Sequence, residues 1–158
     1  MGRALEKISS GMAVLSGGIL IFAGSVMVVS VVSRSLFQRP VPGDFEIVAM
    51  ATAAAVFLCL PYTQWLDGNV RVDFFLSKAS KHIRTTLDAI TNIAFAALAL
   101  VFCWRMTLGL VDFYTYGDIS QIIAIPLWWV MPFAVASFGV LSLNCIYQAV
   151  SSLRNEKQ

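Results

Sequence analysis

The chain has 158 residues, of which 58% are hydrophobic and 13% charged, and a mean hydropathy of +0.77. A soluble domain is nearer roughly 45–50% apolar and about 25% charged, so this composition excludes an ordinary soluble fold and a disordered chain alike. A net charge of +2 is too small to mark a nucleic-acid binder, and the placement of the charges carries more information than their sum.

A helix that crosses hydrocarbon needs roughly 20 mostly apolar residues, and a charge at its centre costs about 2.5–3.5 kcal/mol on insertion scales. Four runs meet that requirement. The first, Ile8 to Ser33, follows a basic start at Arg3 and Lys7. A signal-peptide core is only about 7–15 residues long, so this run reads as a retained spanning helix. A connector follows, with Arg34, Arg39, Pro40, Pro42 and Gly43, which is turn chemistry, and then Asp44 and Glu46. The second run is Ile47 to Leu66, with Pro61, Gln64 and Trp65 near its end.

The next connector, Asp67 to Asp88, is long and basic. Drawn as a helix, 72–88 gathers Val72, Phe75, Leu76, Ala79, Ile83 and Leu87 within an arc of about 120°. Asp73, Lys78, Lys81 and Arg84 fall outside it, as does the one apolar misfit, Phe74. Such a basic amphipathic helix suits the membrane interface, where anionic lipid attracts each basic residue by about 1 kcal/mol; the other reading is a soluble loop helix packed on the bundle ends.

The third run starts at Ala89, meets Arg105, and continues to Val111. Arg105 lies about 10 Å from the far end at 1.5 Å per residue. Its long stem either snorkels to the headgroups or reaches an acceptor on a partner subunit. The fourth run, Ile122 to Val150, has Pro126, Trp128, Trp129 and Pro132 in its first part. In lipid the backbone must satisfy its own hydrogen bonds, so all four runs are expected as helices.

The fold expected is therefore all-α: one membrane domain over 1–158, with spans near 8–33, 47–66, 89–111 and 122–150 and an interfacial helix near 72–88. With four spans, the N-terminus, second connector and C-terminus share a side. That side holds eight Lys and Arg residues against three on the other, counting Arg105, which puts both termini in the cytoplasm. Trp65 and the Trp128–Trp129 pair then anchor opposite membrane faces. Small residues at four-residue spacing, Ser9, Ala13, Gly17 and Ala51, Ala55, Cys59, are candidates for close helix contact.

The sequence offers no catalytic set, and no cofactor or metal site is expected. His82 is the one histidine and lies in the basic connector; Cys59, Cys103 and Cys145 sit in apolar runs without metal-ligand spacing. No phosphate-binding glycine loop is present. Every acid lies outside the runs, whereas proton-coupled pumps keep one within a span. The centres of the first, second and fourth runs read as apolar groups and small hydroxyls.

Three local patterns resemble one family. Arg34-Ser35-Leu36-Phe37, then Pro40, Pro42 and Glu46, is similar to the first connector of the small membrane subunit of tripartite ATP-independent periplasmic (TRAP) transporters, the DctQ type. Phe45 stands where a Trp is common. Gly68-Asn69-Val70-Arg71-Val72-Asp73 resembles that family's glycine–histidine–x–arginine–valine–aspartate stretch, with Asn69 in the histidine place. Ile125-Pro126-Leu127-Trp128, then Pro132, resembles the start of its last helix. The resemblance implies a non-catalytic subunit in a bacterial inner membrane. It would hold a large membrane subunit that carries substrate and sodium sites and is served by a periplasmic substrate-binding protein, usually for organic acids. The partners implied are those two proteins and the bilayer, with no nucleic acid. Residues pointing to partner or lipid contact are Arg34, Arg39, Glu46, Trp65, Arg71, Asp73, Phe75, Arg105, Pro126, Trp128 and Trp129. The small subunit of a tricarboxylate tripartite transporter shares the layout, and a stand-alone membrane scaffold is the reading outside transport.

The charge asymmetry sets a first test. A reporter fused after Gln158 is expected to be active in the cytoplasm, and one inserted near Gly117 to report the periplasm. A periplasmic C-terminus would overturn the four-span topology.

Overall fold

The computed structural model describes residues 2–39, 41–66 and 81–155. Four helices account for most of them: α1 (Gly2–Phe37), α2 (Asp44–Trp65), α3 (Lys81–Tyr116) and α4 (Met131–Asn155). All four are long and apolar enough to cross a membrane. α1 and α3 each have 36 residues, or about 54 Å at 1.5 Å per residue, so their ends outrun a hydrocarbon layer about 30 Å thick.

The helices stand in a row, α1–α2–α4–α3, each packed mainly on its neighbours in that order. Burial follows position in the row. In their most apolar windows, α1 and α3 are 11% buried, against 22% for α2 and 33% for α4. The start of α1 and the end of α4 share one end of the bundle: a Cβ built on Gly2 would lie 2.5 Å from the Tyr147 hydroxyl near the end of α4. The α1–α2 and α3–α4 connectors share the other. These are called the terminal end and the connector end below.

Lipid tails are as apolar as leucine, so packing and hydrogen bonds, not the hydrophobic effect, hold spanning helices together. Small residues let backbones approach, and α1 buries a seam of them every seven residues: Ser9, Ser16, Ala23 and Ser30. The expected four-residue stripes are only partly inward, since Ala13 and Gly17 are half-buried and Cys59 is exposed. The period is seven because a left-handed pair of helices repeats its contacts every two turns. α3 shows the same rule. Ala89, Asn92, Ala96, Ala99, Cys103, Met106, Leu110 and Phe113 alternate steps of three and four and are buried or half-buried. Between them only Gly109 is not exposed. Ala96 and Ala99 meet Leu141 and Cys145 of α4 in one cluster, edged by Leu60 and Phe138.

Pro61 stands inside α2. Proline has no N–H, so the carbonyl four residues earlier, that of Phe57, loses its helical partner. The Ser137 hydroxyl of α4 donates to that carbonyl. Ser16 of α1 donates to the Ala55 carbonyl at 2.7 Å, making a second cross-helix bond from a hydroxyl to α2.

One expectation needs correction. The fourth helix starts at Met131, not Ile122. Residues 118–130 form a folded connector with an Ile119–Pro126 bridge and a single 3-10 turn over Leu127–Trp129. Pro126 disfavours helical backbone at Ile125, and Ala124 is left-handed with φ 55°. The expected interfacial helix at 72–88 lies mostly outside the described residues, as do Arg71, Asp73 and Phe75 of that connector. Its last part, 81–88, is the start of α3.

Ser137→Ala is expected to cost about 1 kcal/mol by reversible unfolding in detergent. In a Pro61→Ala background the same change is expected to cost close to nothing, because the alanine restores an N–H to the Phe57 carbonyl. Equal costs in both backgrounds would refute the proline–serine clip.

Candidate functional site

The start of α2 organises the connector end. Its two acids, Asp44 and Glu46, face different elements. Asp44 Oδ2 accepts from the Ser30 hydroxyl of α1 and lies 3.8 Å from the Arg34 guanidinium, while its Oδ1 accepts from the Phe45 amide at 2.7 Å. Arg34 is itself 65% exposed, so this ion pair is a solvated one worth little alone. Ser33 donates to the Arg39 carbonyl at 2.7 Å, which folds the connector back onto the end of α1.

Glu46 reaches the other connector. Its Oε2 accepts from the Ser120 hydroxyl at 2.7 Å and from the Ile123 amide at 3.0 Å; its Oε1 accepts from the Ile122 amide at 2.9 Å. Successive backbone N–H groups cradling one carboxylate make a nest, an arrangement favourable to negative charge. Ser120 passes the order on. Its hydroxyl accepts from the Ile125 amide at 3.3 Å, and its own amide donates to the Ile125 carbonyl at 2.9 Å. Leu127 N–H to the Asp118 carbonyl, 3.0 Å, closes the loop. Gly43, just before α2, has φ 72°, and a Cβ there would collide with the Ile123 side chain. Glycine is required at that point both by backbone conformation and by the approach of the loop.

At this end Trp128 meets Tyr114 of α3 edge-on at 5.8 Å and Trp129 at 6.4 Å. Pro126 precedes the 3-10 turn, and its carbonyl accepts from the Trp129 amide at 3.3 Å. Trp65 lies at the opposite end of the bundle, stacked on Tyr147 with centroids 5.9 Å apart.

The terminal half holds a second polar assembly, made of amides that the sequence reading passed over. Gln64 Nε2 donates to Asn92 Oδ1 at 3.0 Å and to Gln148 Oε1 at 2.8 Å. Gln148 Nε2 donates to the Gln64 carbonyl at 3.0 Å. Asn144 Nδ2 donates to Ser9 Oγ at 2.8 Å and to the Pro61 carbonyl at 3.0 Å. All four helices enter this girdle: Ser9 from α1, Pro61 and Gln64 from α2, Asn92 from α3, Asn144 and Gln148 from α4. The expectation that the centre of the fourth span offers only apolar groups and small hydroxyls is corrected by Asn144, fully buried near the middle of α4. Asn144 and Gln148 sit four residues apart in an apolar run, on one helical face, and that spacing was the available signal.

Arg105 stands apart. It is exposed on α3 and has no ion pair or hydrogen bond among the described residues. Among the described residues no group of three or more His, Cys, Asp or Glu could hold a metal ion. The arrangement is suited to holding helices and loops in fixed relation.

A family model described as the DctQ component of tripartite ATP-independent periplasmic transporters matches residues 23–155. The chain belongs to the DctQ family. No curated protein and no solved structure matched. DctQ is a non-catalytic transporter component, and four apolar helices of spanning length make this one a multi-pass membrane protein. Arg34, Glu46, Pro126 and Trp128 of the sequence patterns thus meet at one end of the bundle.

Glu46→Ala is expected to release the loop it binds. Hydrogen bonds to a charged group contribute about 1.5–3 kcal/mol each, so amide exchange at Ile122 and Ile123 should accelerate at least about tenfold. Glu46→Gln, which keeps an acceptor, should fall between. Unchanged exchange in both variants would mean that the loop holds itself.

Proposed function

We propose that this chain is the small permease subunit of a sodium-coupled TRAP transporter for organic acids, seated in a bacterial inner membrane with both termini in the cytoplasm. It holds the large membrane subunit that carries substrate and sodium, while a periplasmic binding protein delivers the substrate. Family membership over 23–155 is the observation that carries this reading. The physical chemistry agrees. A carboxylate crossing a low-dielectric layer needs hydrogen-bonding or cationic partners near the midplane. In this bundle the buried amides and hydroxyls bind neighbouring helices instead: Ser16 to Ala55, Ser137 to Phe57, Asn144 to Pro61, Gln64 to Gln148. Transporters present their binding groups on broken helices, but α1, α2 and α3 run unbroken through their apolar windows. A cross-linked, unbroken bundle suits a support that stays still while another subunit moves.

The test is uptake by the purified complex in vesicles, comparing wild type with Arg105→Ala. Uptake is expected to fall only in proportion to loss of assembled complex. A drop in apparent substrate affinity with assembly intact would put Arg105 on the substrate and end the scaffold reading.

A further inference from the structure

Arg105 is the only charged residue within the four apolar runs. It points off the outward side of α3, flanked by Leu98, Val101 and Leu108, which are 56%, 54% and 40% exposed. Its depth follows from the helix. Nine residues further on, Tyr114 meets Trp128, an aromatic pair of the kind that marks the membrane–water interface. At 1.5 Å per residue, Arg105 is roughly 13 Å below that level.

Side-chain direction decides what Arg105 can reach. Cα–Cβ bonds tilt toward the N-terminus of a helix, here toward Lys81 and the middle of the membrane. The stem therefore leaves the backbone heading away from the nearer headgroups. The farther surface is about 17 Å off in a layer about 30 Å thick. Snorkelling, workable for an arginine in the first turns of a spanning helix, is unfavourable in the C-terminal half of one. A guanidinium stranded there requires an acceptor at its own depth.

No described residue of this chain supplies that acceptor. Arg105 has no partner among the described residues, and all nine Asp and Glu of the sequence lie outside the apolar runs. A second copy in the same membrane orientation would present its acids near the helix ends, not at this level. Asp112, on the same face of α3, is seven residues or about 10 Å away along the axis. The outward side of α1, with Val14, Ile21 and Val28, carries no such charge and suits lipid.

We propose that the α3 face around Arg105 docks against a transmembrane helix of a different subunit, which places an Asp or Glu opposite the guanidinium. The proposal rests on the scaffold reading above and adds to it the face and the chemistry of the contact. Arginine favours a carboxylate through its planar fork of donors, and the absence of water between helices strengthens the pair. Leu98, Val101 and Leu108 then pack around it and exclude lipid.

The experiment uses the tagged chain co-expressed with the large membrane subunit and extracted in mild detergent. Arg105→Leu is expected to lower recovery of the large subunit at least about tenfold, with Arg105→Lys intermediate because it keeps the charge but not the fork. The yield and melting temperature of the tagged chain itself should not change, since Arg105 makes no hydrogen bond or ion pair among the described residues. A photoreactive residue at Val101 or Leu108 should capture the large subunit, and one at Ile21 should capture lipid. Undiminished recovery with Arg105→Leu would overturn the charge pairing. Capture of the large subunit from position 21 but not from 101 or 108 would overturn the face and leave the scaffold reading standing. Capture from no position, with no co-purification of wild type, would remove the scaffold reading and this proposal together.

Discussion

A backbone carbonyl without a partner is costly in hydrocarbon, and Pro61 leaves one at Phe57. The bundle is arranged around that fact. Ser137 of α4 supplies the missing donor, which fixes α4 against α2 at the proline turn. Two turns further, Asn144 of α4 reaches the Pro61 carbonyl and Ser9 of α1, so the same region also positions α1. A further turn on, Gln148 and Gln64 exchange hydrogen bonds, and Gln64 reaches Asn92 of α3. Ser137, Asn144 and Gln148 lie along one strip of α4, seven and four residues apart. The proline thus defines the side of α2 on which α4 must lie, and α4 in turn collects α1 and α3.

The two ends of the bundle use different chemistry because they meet different solvents. The amide girdle sits within the terminal half of apolar runs, where neutral groups are far less costly than charges. The connector end lies at and beyond the ends of the spanning helices and uses carboxylates: Asp44 toward α1 and Glu46 toward the 118–126 loop. Both acids sit in the first turn of α2, where the helix dipole also favours negative charge. One helix start therefore ties together three segments that are distant in sequence. Gly43 permits the geometry by letting Ile123 approach where a side chain would collide.

What the sequence revealed and what it hid follow from this division. Spanning helices are a property of composition along a single stretch, so apolar runs located all four, although the third contains Arg105. Proline and glycine between Arg34 and Glu46 marked the turn there, and Trp65 and Trp128 fall at opposite ends as expected. Pairings across helices are two-body facts. Glu46 was singled out, but nothing near it in sequence names Ser120, Ile122 or Ile123, which lie more than seventy residues away. The same holds for Asn144, whose partners Ser9 and Pro61 belong to other helices. The late start of α4 escaped hydropathy because Ile122 to Val130 is as apolar as a helix. Its backbone is turned aside by Pro126 and held by a carboxylate from another element. The seven-residue seam of Ser9, Ser16, Ala23 and Ser30 was visible in principle, since a packed pair of helices repeats in sevens and not in fours.

The row arrangement gives the final constraint. Four helices in a compact square each bury two sides; in a row the outer two bury only one. α2 and α4 carry nearly all the cross-helix polar bonds and are accordingly the most enclosed. α1 and α3 keep long outward faces, and their sequences differ in the one way that matters in lipid. The outward side of α1 within its run is uncharged throughout, while that of α3 carries Arg105 more than two turns inside the aromatic level. A row is a wall rather than a plug, and a wall has two edges and two broad sides to offer. The inner helices are bound to one another and keep narrower outward faces, such as Val56 of α2 and Leu143 of α4, while the outer ones keep the broadest. Of those, only α3 presents a group that lipid tails cannot accommodate.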